Sequence, residues 1–192
     1  MNTRGAKAKG RSLQNRVAKD LARVTGLRYG SPNDDLADLR GRLMGTPGED
    51  IVRSLKARRH VPFFIECKNS ESWSFGSRMF GDGLGQLVRW YLGTCDRAVK
   101  SKKIEENFPI VVAAKAHFPP VVLISNVGDW FSSYWDMQKE GDFDSVISIR
   151  VPLARFLDGG QWDHLSGSIK SDAMVDILVW EDFLRLWYGD KK

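Results

Sequence analysis

Leu13, Val17 and Leu21 return every fourth residue, with Ala18 and Val24 beside them and polar residues between. That spacing lays one apolar stripe along a helix and predicts an amphipathic helix over 11–25, opened at Gly10 or capped by Ser12 and stopped by Gly26. Residues 1–10 are small and basic and are expected to form a flexible arm ahead of a single domain over 11–192. Residues 28–49 hold Gly30, Pro32, Asp34, Asp35, Gly41, Gly45, Pro47 and Gly48, and read as irregular with at most one short helical turn. Polar and apolar positions alternate imperfectly over 50–58, where a strand is expected. Val61 to Lys68 is a short apolar run ending in charges, a second strand joined to the first through a compact connection at Arg59 and His60.

A polar, aromatic-dotted loop over 69–83 then leads to a helix near 84–99. The β-branched runs 109–115 and 120–125, separated by His117, Phe118 and Pro119, predict paired central strands. A short helix over 129–137, a strand over 146–151, a last strand over 176–180 and a terminal helix over 181–188 complete the pattern. The fold class that follows is α/β, a central mixed β-sheet flanked by helices.

Composition narrows the functional classes. The 192 residues are 42% hydrophobic and 28% charged, the balance of one soluble globular domain. No apolar run approaches the ~18–20 residues that a membrane span requires, so no membrane partner is expected. Cys67 and Cys95 fit no CxxC or zinc spacing and are expected as buried, reduced thiols, consistent with the cytoplasm, that of a host cell if the chain is virus-encoded. His60, His117 and His164 stand alone, and neither a phosphate-binding GxxxxGK[ST] loop nor a GxSxG elbow occurs. Zinc hydrolase, NTPase and serine hydrolase chemistry therefore have no basis here.

Charge is spread unevenly: residues 1–100 carry a net +9 and residues 101–192 a net −4. A basic half is either a solvated surface or the side that meets a polyanion.

The chemistry gathers around Gly48-Glu49-Asp50 and Phe64-Ile65-Glu66-Cys67-Lys68. In a strand Glu66 and Lys68 share a face with Phe64, while Phe63, Ile65 and Cys67 point the other way. A carboxylate and an ammonium at the end of so apolar a run are costly without partners. A divalent cation held by Glu66 and by Asp50 from the neighbouring segment, with the Cys67 carbonyl and waters, offers a hard oxygen site suited to Mg²⁺. Lys68 would then orient the attacking hydroxide or stabilise the transition state. An E-x-K triplet in a strand is also a common structural pattern, and the glycine-preceded Asp50 is what sets this one apart.

With Asp50 and Glu66-Cys67-Lys68 matching a D…ExK signature, the sequence resembles the PD-(D/E)xK nuclease superfamily. The wider set Gly48-Glu49-Asp50-Ile51-Val52, Ser54, Ala57-Arg58, Pro62 to Asn69 and Glu71 is similar to small phage-type endonucleases and Holliday-junction resolvases. The resemblance covers roughly residues 10–100. It implies a restriction-endonuclease-like sheet, Mg²⁺ or Mn²⁺ dependence and hydrolysis of phosphodiester bonds in DNA.

Where that family often places a ligating Glu on its first helix, this chain has Gln14. Gln14 could ligate through its amide oxygen or a water, or it could be a surface residue; a neutral ligand weakens the case for a second metal ion. Some members carry Gln-x-x-x-Tyr on the helix after the site. Here Gln86 is followed by Trp90 at that spacing, so Gln86 is expected to support catalysis, with Trp90 and Tyr91 in the core.

Arg53, Lys56, Arg58 and Arg59 are expected beside the site as phosphate contacts, Lys56 and Arg58 on one strand face, while Lys9 and Arg11, with Arg4 and Lys7, would order on a duplex. Each is alternatively a solvated surface charge. Trp73 and Phe75 could stack on an unpaired base, or be buried. The expected function is a metal-dependent DNA endonuclease acting on branched or structured DNA. The alternative, motivated by Gln14, is an inactive nucleic-acid-binding protein on the same fold. Symmetric cleavage of two strands would call for a homodimer.

Overall fold

The computed structural model describes residues 3–43, 46–73, 82–100, 108–125, 149–153 and 173–189. In chain order the elements are α1 (Thr3–Thr25), β1 (Leu39–Gly41), β2 (Ile51–Arg53), α2 (Leu55–His60), β3 (Phe63–Asn69), α3 (Asp82–Lys100), β4 (Phe108–Ala114), β5 (Val121–Ser125), β6 (Ile149–Pro152), β7 (Met174–Val179) and α4 (Trp180–Tyr188).

Among the described residues five strands form one mixed sheet in the order β3-β4-β5-β7-β6. β3 and β4 are parallel, with Glu66 opposite Val111 and Lys68 opposite Ala113, and the remaining pairs are antiparallel. A parallel pair needs a crossover, and α3 supplies the helix within it. The expected mixed sheet with flanking helices is the fold of this chain.

Strand alternation divides the core. Phe63, Ile65 and Cys67 of β3, with Phe108, Ile110 and Val112 of β4, face Leu13, Val17 and Leu21 of α1 and Phe183 and Trp187 of α4. Val111, Ala113 and Leu123 face the other way, against Leu87, Tyr91, Leu92 and Cys95 of α3. Helices therefore cover both faces of the sheet. The rings of Phe63, Phe183 and Trp187 meet edge-on or stacked with centroids 4.6 to 5.9 Å apart. Trp180 is fully buried and donates its indole N–H to Asp20 at 3.0 Å. Trp73 is fully buried too, so burial is its fate, while Phe75 lies outside the described residues. Both cysteines are free and buried, and no helix among the described residues is long and apolar enough to cross a membrane.

Several local expectations are corrected. α1 begins at Thr3, so the described part of the expected arm is helical. Ala6, Lys7, Ala8 and Lys9 are strong helix formers, and Gly5 and Gly10 each cost only about 1 kcal/mol. The irregular stretch 28–49 contains β1, which pairs antiparallel with β2; three residues are too few to show a period. The expected strand over 50–58 ends at Arg53, because Ser54 caps a helix by accepting the Ala57 N–H at 3.1 Å. Lys56 and Arg58 therefore share no strand face, and no hairpin joins β2 to β3. The short helix expected over 129–137 and the first part of the strand expected over 146–151 lie outside the described residues.

Arg53, expected on DNA, is buried inside the fold. Its guanidinium donates to Glu49 Oε2 at 2.7 Å and to the Val61 carbonyl at 2.6 Å, and its side chain is 1% exposed. The pair pins the segment before β3 to the segment before β2. Arg53→Met should cost about 3–5 kcal/mol in urea denaturation by leaving Glu49 buried without a counter-ion. Arg59→Ala, on an exposed side chain, should stay within about 0.5 kcal/mol. Equal, small losses in both variants would show that Arg53 does not hold the fold.

Candidate active site

Among the described residues β3 is the outermost strand of the sheet, and residues on one side of it turn their backbone groups outward. The segment entering β2 meets that edge. Asp50 donates its N–H to the Ile65 carbonyl at 2.8 Å, and the Cys67 N–H donates back to Asp50 Oδ2 at 2.7 Å. The bend before Asp50 depends on Gly48, which sits at φ 119° with the Arg42 guanidinium 2.9 Å from where a Cβ would stand. Arg42 in turn donates to the Glu49 carbonyl. Glu49 turns inward to Arg53, and Asp50 turns to the sheet edge.

The opposite oxygen of Asp50, Oδ1, accepts from Gln14 Nε2 at 2.7 Å. Gln14 is buried on α1, and its other amide atom, Oε1, is buried without a hydrogen-bond partner. α1 comes this close because β1 has Gly41 facing it. A Cβ there would lie 3.0 Å from Asn15 Oδ1 and 3.3 Å from Gln14 Cβ.

Glu66, also buried, projects to the α3 side of β3. Its Oε1 accepts from Lys68 Nζ at 2.5 Å, and its Oε2 forms an ion pair with the Arg97 guanidinium of α3, 3.0 Å away. Lys68 and Arg97 are partly open to solvent, at 31% and 44%. Burial, and then the negative charge of Glu66, push the Asp50 carboxyl up from 3.8 to about 6, against the Cys67 N–H and the charges of Lys68 and Arg97. The two acids thus act on one another at the strand edge, where the two helical layers meet. The Cys67 side chain packs in the core on the α1 side while its N–H bonds Asp50, and burial, then the charges of Asp50 and Glu66, drive its thiol well above the ordinary value. A strand residue turns its N–H and C=O to one side, so the Cys67 carbonyl shares the outer edge with Asp50.

Asp50, Glu66, Lys68, Gln14 and the Cys67 backbone therefore converge. Gln86 does not join them: it is half-buried on α3, eleven residues or about 16 Å along the helix from Arg97, with no hydrogen bond to the acids among the described residues. Arg97 was missed, although eleven residues are close to three full turns and put it on the same helical stripe as Gln86. Trp90 packs against the core and Tyr91 is buried in it.

Of the expected DNA contacts, Lys9 and Arg11 are exposed on the end of α1 nearest the site, where Asn69 donates to the Lys9 carbonyl at 3.2 Å. Lys56, Arg58 and Arg59 do not flank the site. They lie on α2, which leads into Phe63, and Glu66 is about 10 Å further along the strand. Lys56 stands 3.8 Å from Asp38 instead.

The donor set fits a hard cation: two mutually repelling carboxylates, a backbone carbonyl and the unpartnered amide oxygen of Gln14. Among the described residues no group of three or more His, Cys, Asp or Glu could hold a metal ion, so any such site would draw on neutral oxygens as well. A family model described as "phage putative PDDEXK endonuclease" matches residues 5–140, a span that contains every one of these groups. No curated protein and no solved structure matches the chain.

Because its pKa is higher in the fold than in the unfolded chain, Asp50 supports folding fully below about 4, and that support is lost as pH rises through about 6. In chelator, denaturation free energy should therefore fall between pH 4 and 6, and the Asp50 carboxyl carbon should titrate near 6 by NMR. Lys68→Ala should move that midpoint upward, and a midpoint near 4 in both proteins would dispose of the close pairing with Glu66.

Proposed function

The chain belongs to the phage PDDEXK endonuclease family, and from that premise we propose that it hydrolyses phosphodiester bonds in DNA with a divalent cation held by Asp50 and Glu66. The nucleases of this superfamily generally use divalent metals; Mg²⁺ is the ion proposed here, with Mn²⁺ able to replace it, and branched or structured DNA is the substrate. The observation that carries the reading is the bond from the Cys67 N–H to Asp50. It fixes one acid against the backbone between Glu66 and Lys68.

Asp50 and Glu66 would hold the ion, with the Cys67 carbonyl and Gln14 completing the oxygen set. When bound, Mg²⁺ supplies Lewis acidity, easing deprotonation of water and offsetting charge on phosphate oxygens. The chain's own contribution is orientation. Gln14 Nε2 and the Cys67 N–H hold Asp50 in one rotamer, so little is reorganised when substrate arrives. Glu66 Oε1 fixes the Lys68 ammonium, which stays partly open to solvent. From there Lys68 Nζ can orient the attacking water by hydrogen bonding and place positive charge against the phosphate as its negative charge grows. Lys9 and Arg11 on the nearby end of α1 would contact the DNA backbone, positioning it without reading sequence. Paired cuts across a junction would require two sites and so two copies of the chain.

Supercoiled plasmid, single strands, linear duplex and a four-way junction, each with Mg²⁺ or EDTA, test the proposal. Cleavage should need the metal and be faster on the junction than on linear duplex. Lys68→Ala should lower kcat by roughly 10²–10⁴-fold yet keep the thermal stabilisation by Mn²⁺, while Asp50→Ala should lose both. Cleavage that survives EDTA or Asp50→Ala would end the proposal. Salt-steep DNA binding without turnover under any divalent ion would assign the inactive binding protein instead.

A further inference from the structure

We propose that Arg97 is a phosphate ligand released by the metal: it neutralises Glu66 while no dication is there, and turns to a phosphate oxygen of the DNA once one arrives. The proposal rests on Asp50 and Glu66 as the metal-holding pair.

Both oxygens of the buried Glu66 carboxylate are engaged by cations, Lys68 on Oε1 at 2.5 Å and Arg97 on Oε2 at 3.0 Å. A dication that takes an oxygen of Glu66 must share it with an ammonium or a guanidinium. Like charges a few ångströms apart repel strongly where water is scarce, so one cation is displaced. Lys68 stands two residues from Glu66 on the same strand face, and the backbone keeps it there. Arg97 comes from another element on a longer side chain and is the more exposed of the two. The same nitrogen also donates to Thr94 Oγ1 at 3.3 Å within its own helix, a long bond that the swing gives up in exchange for the phosphate.

Charge then decides where Arg97 goes. Asp50, Glu66, Lys68 and Arg97 sum to zero when all are ionised, so an added dication leaves the site with two excess positive charges. A phosphate relieves that excess. The planar guanidinium offers a pair of parallel N–H donors that match two phosphate oxygens, which an ammonium cannot do. Metal and DNA binding are consequently coupled through this side chain, each favouring the other.

Mn²⁺ binding without DNA, measured by calorimetry, tests the first half. Arg97→Ala should bind Mn²⁺ about tenfold more tightly than wild type, because a competing charge is gone, and Arg97→Lys should stay within about twofold of wild type. Anisotropy of a labelled four-way junction in Ca²⁺ tests the second half. Affinity should fall about tenfold in Arg97→Ala and stay low in Arg97→Lys, with less than about twofold change for either variant in EDTA. Mn²⁺ affinity that is unchanged or weaker in Arg97→Ala would overturn the displacement, and undiminished junction binding in Ca²⁺ would overturn the phosphate contact. If wild type binds no Mn²⁺ at all, the metal-holding pair itself fails, and this proposal with it.

Discussion

Two carboxylates held close together in a half-dry site repel one another, and the surrounding structure is arranged to offset that cost. Each acid meets two partners. Asp50 accepts from the Gln14 amide and the Cys67 N–H, and Glu66 accepts from Lys68 and pairs with the Arg97 charge. The partners come from α1, β3 and α3, that is, from both helical layers and the strand between them. Burying an acid without such partners would shift its protonation or unfold the region. Asp50 retains part of that tension in its raised pKa, which a cation would relieve. The same feature that makes the site costly when empty makes it receptive to positive charge.

The elements with long, regular patterns were readable from the sequence. The Leu13, Val17 and Leu21 stripe, the β-branched runs around Val111 and Val122, and the Asp176 to Tyr188 segment all fold as their periods indicate. The failures have local causes. β1 is three residues long, and its partner β2 owes its length to a serine that caps the following helix. Arg53, Lys56, Arg58 and Arg59 looked like one basic cluster because they are neighbours in sequence, but Ser54 turns the chain, burying the first in an ion pair and carrying the rest to the far end of β3.

The core of the site was equally readable, for the alternation that puts Glu66 and Lys68 on one face is a property of any strand. Gln14 could be placed near it on the helical stripe, but its bond to Asp50 depends on the missing Cβ of Gly41, a contact between distant segments. Spacing puts Arg97 on the stripe of Gln86, but which end of that stripe lies over Glu66 is set by the crossover to β4 and by the packing of Tyr91 and Leu92 beneath the sheet. Sequence reasoning placed the candidate residues that the strand positions. It misplaced or missed those that tertiary approach brings beside them.

The Asp50 segment also solves a problem unrelated to chemistry. β3 ends the sheet, and Phe63 to Cys67 are all buried, so an uncovered margin there would invite a foreign strand to zip on and seed aggregation. By engaging the Ile65 carbonyl and the Cys67 N–H, Asp50 occupies the very groups an intruder would use. Guarding the margin and arming the site share one segment: the backbone of residue 50 covers the Ile65 carbonyl whatever its side chain, and the carboxylate covers the Cys67 N–H.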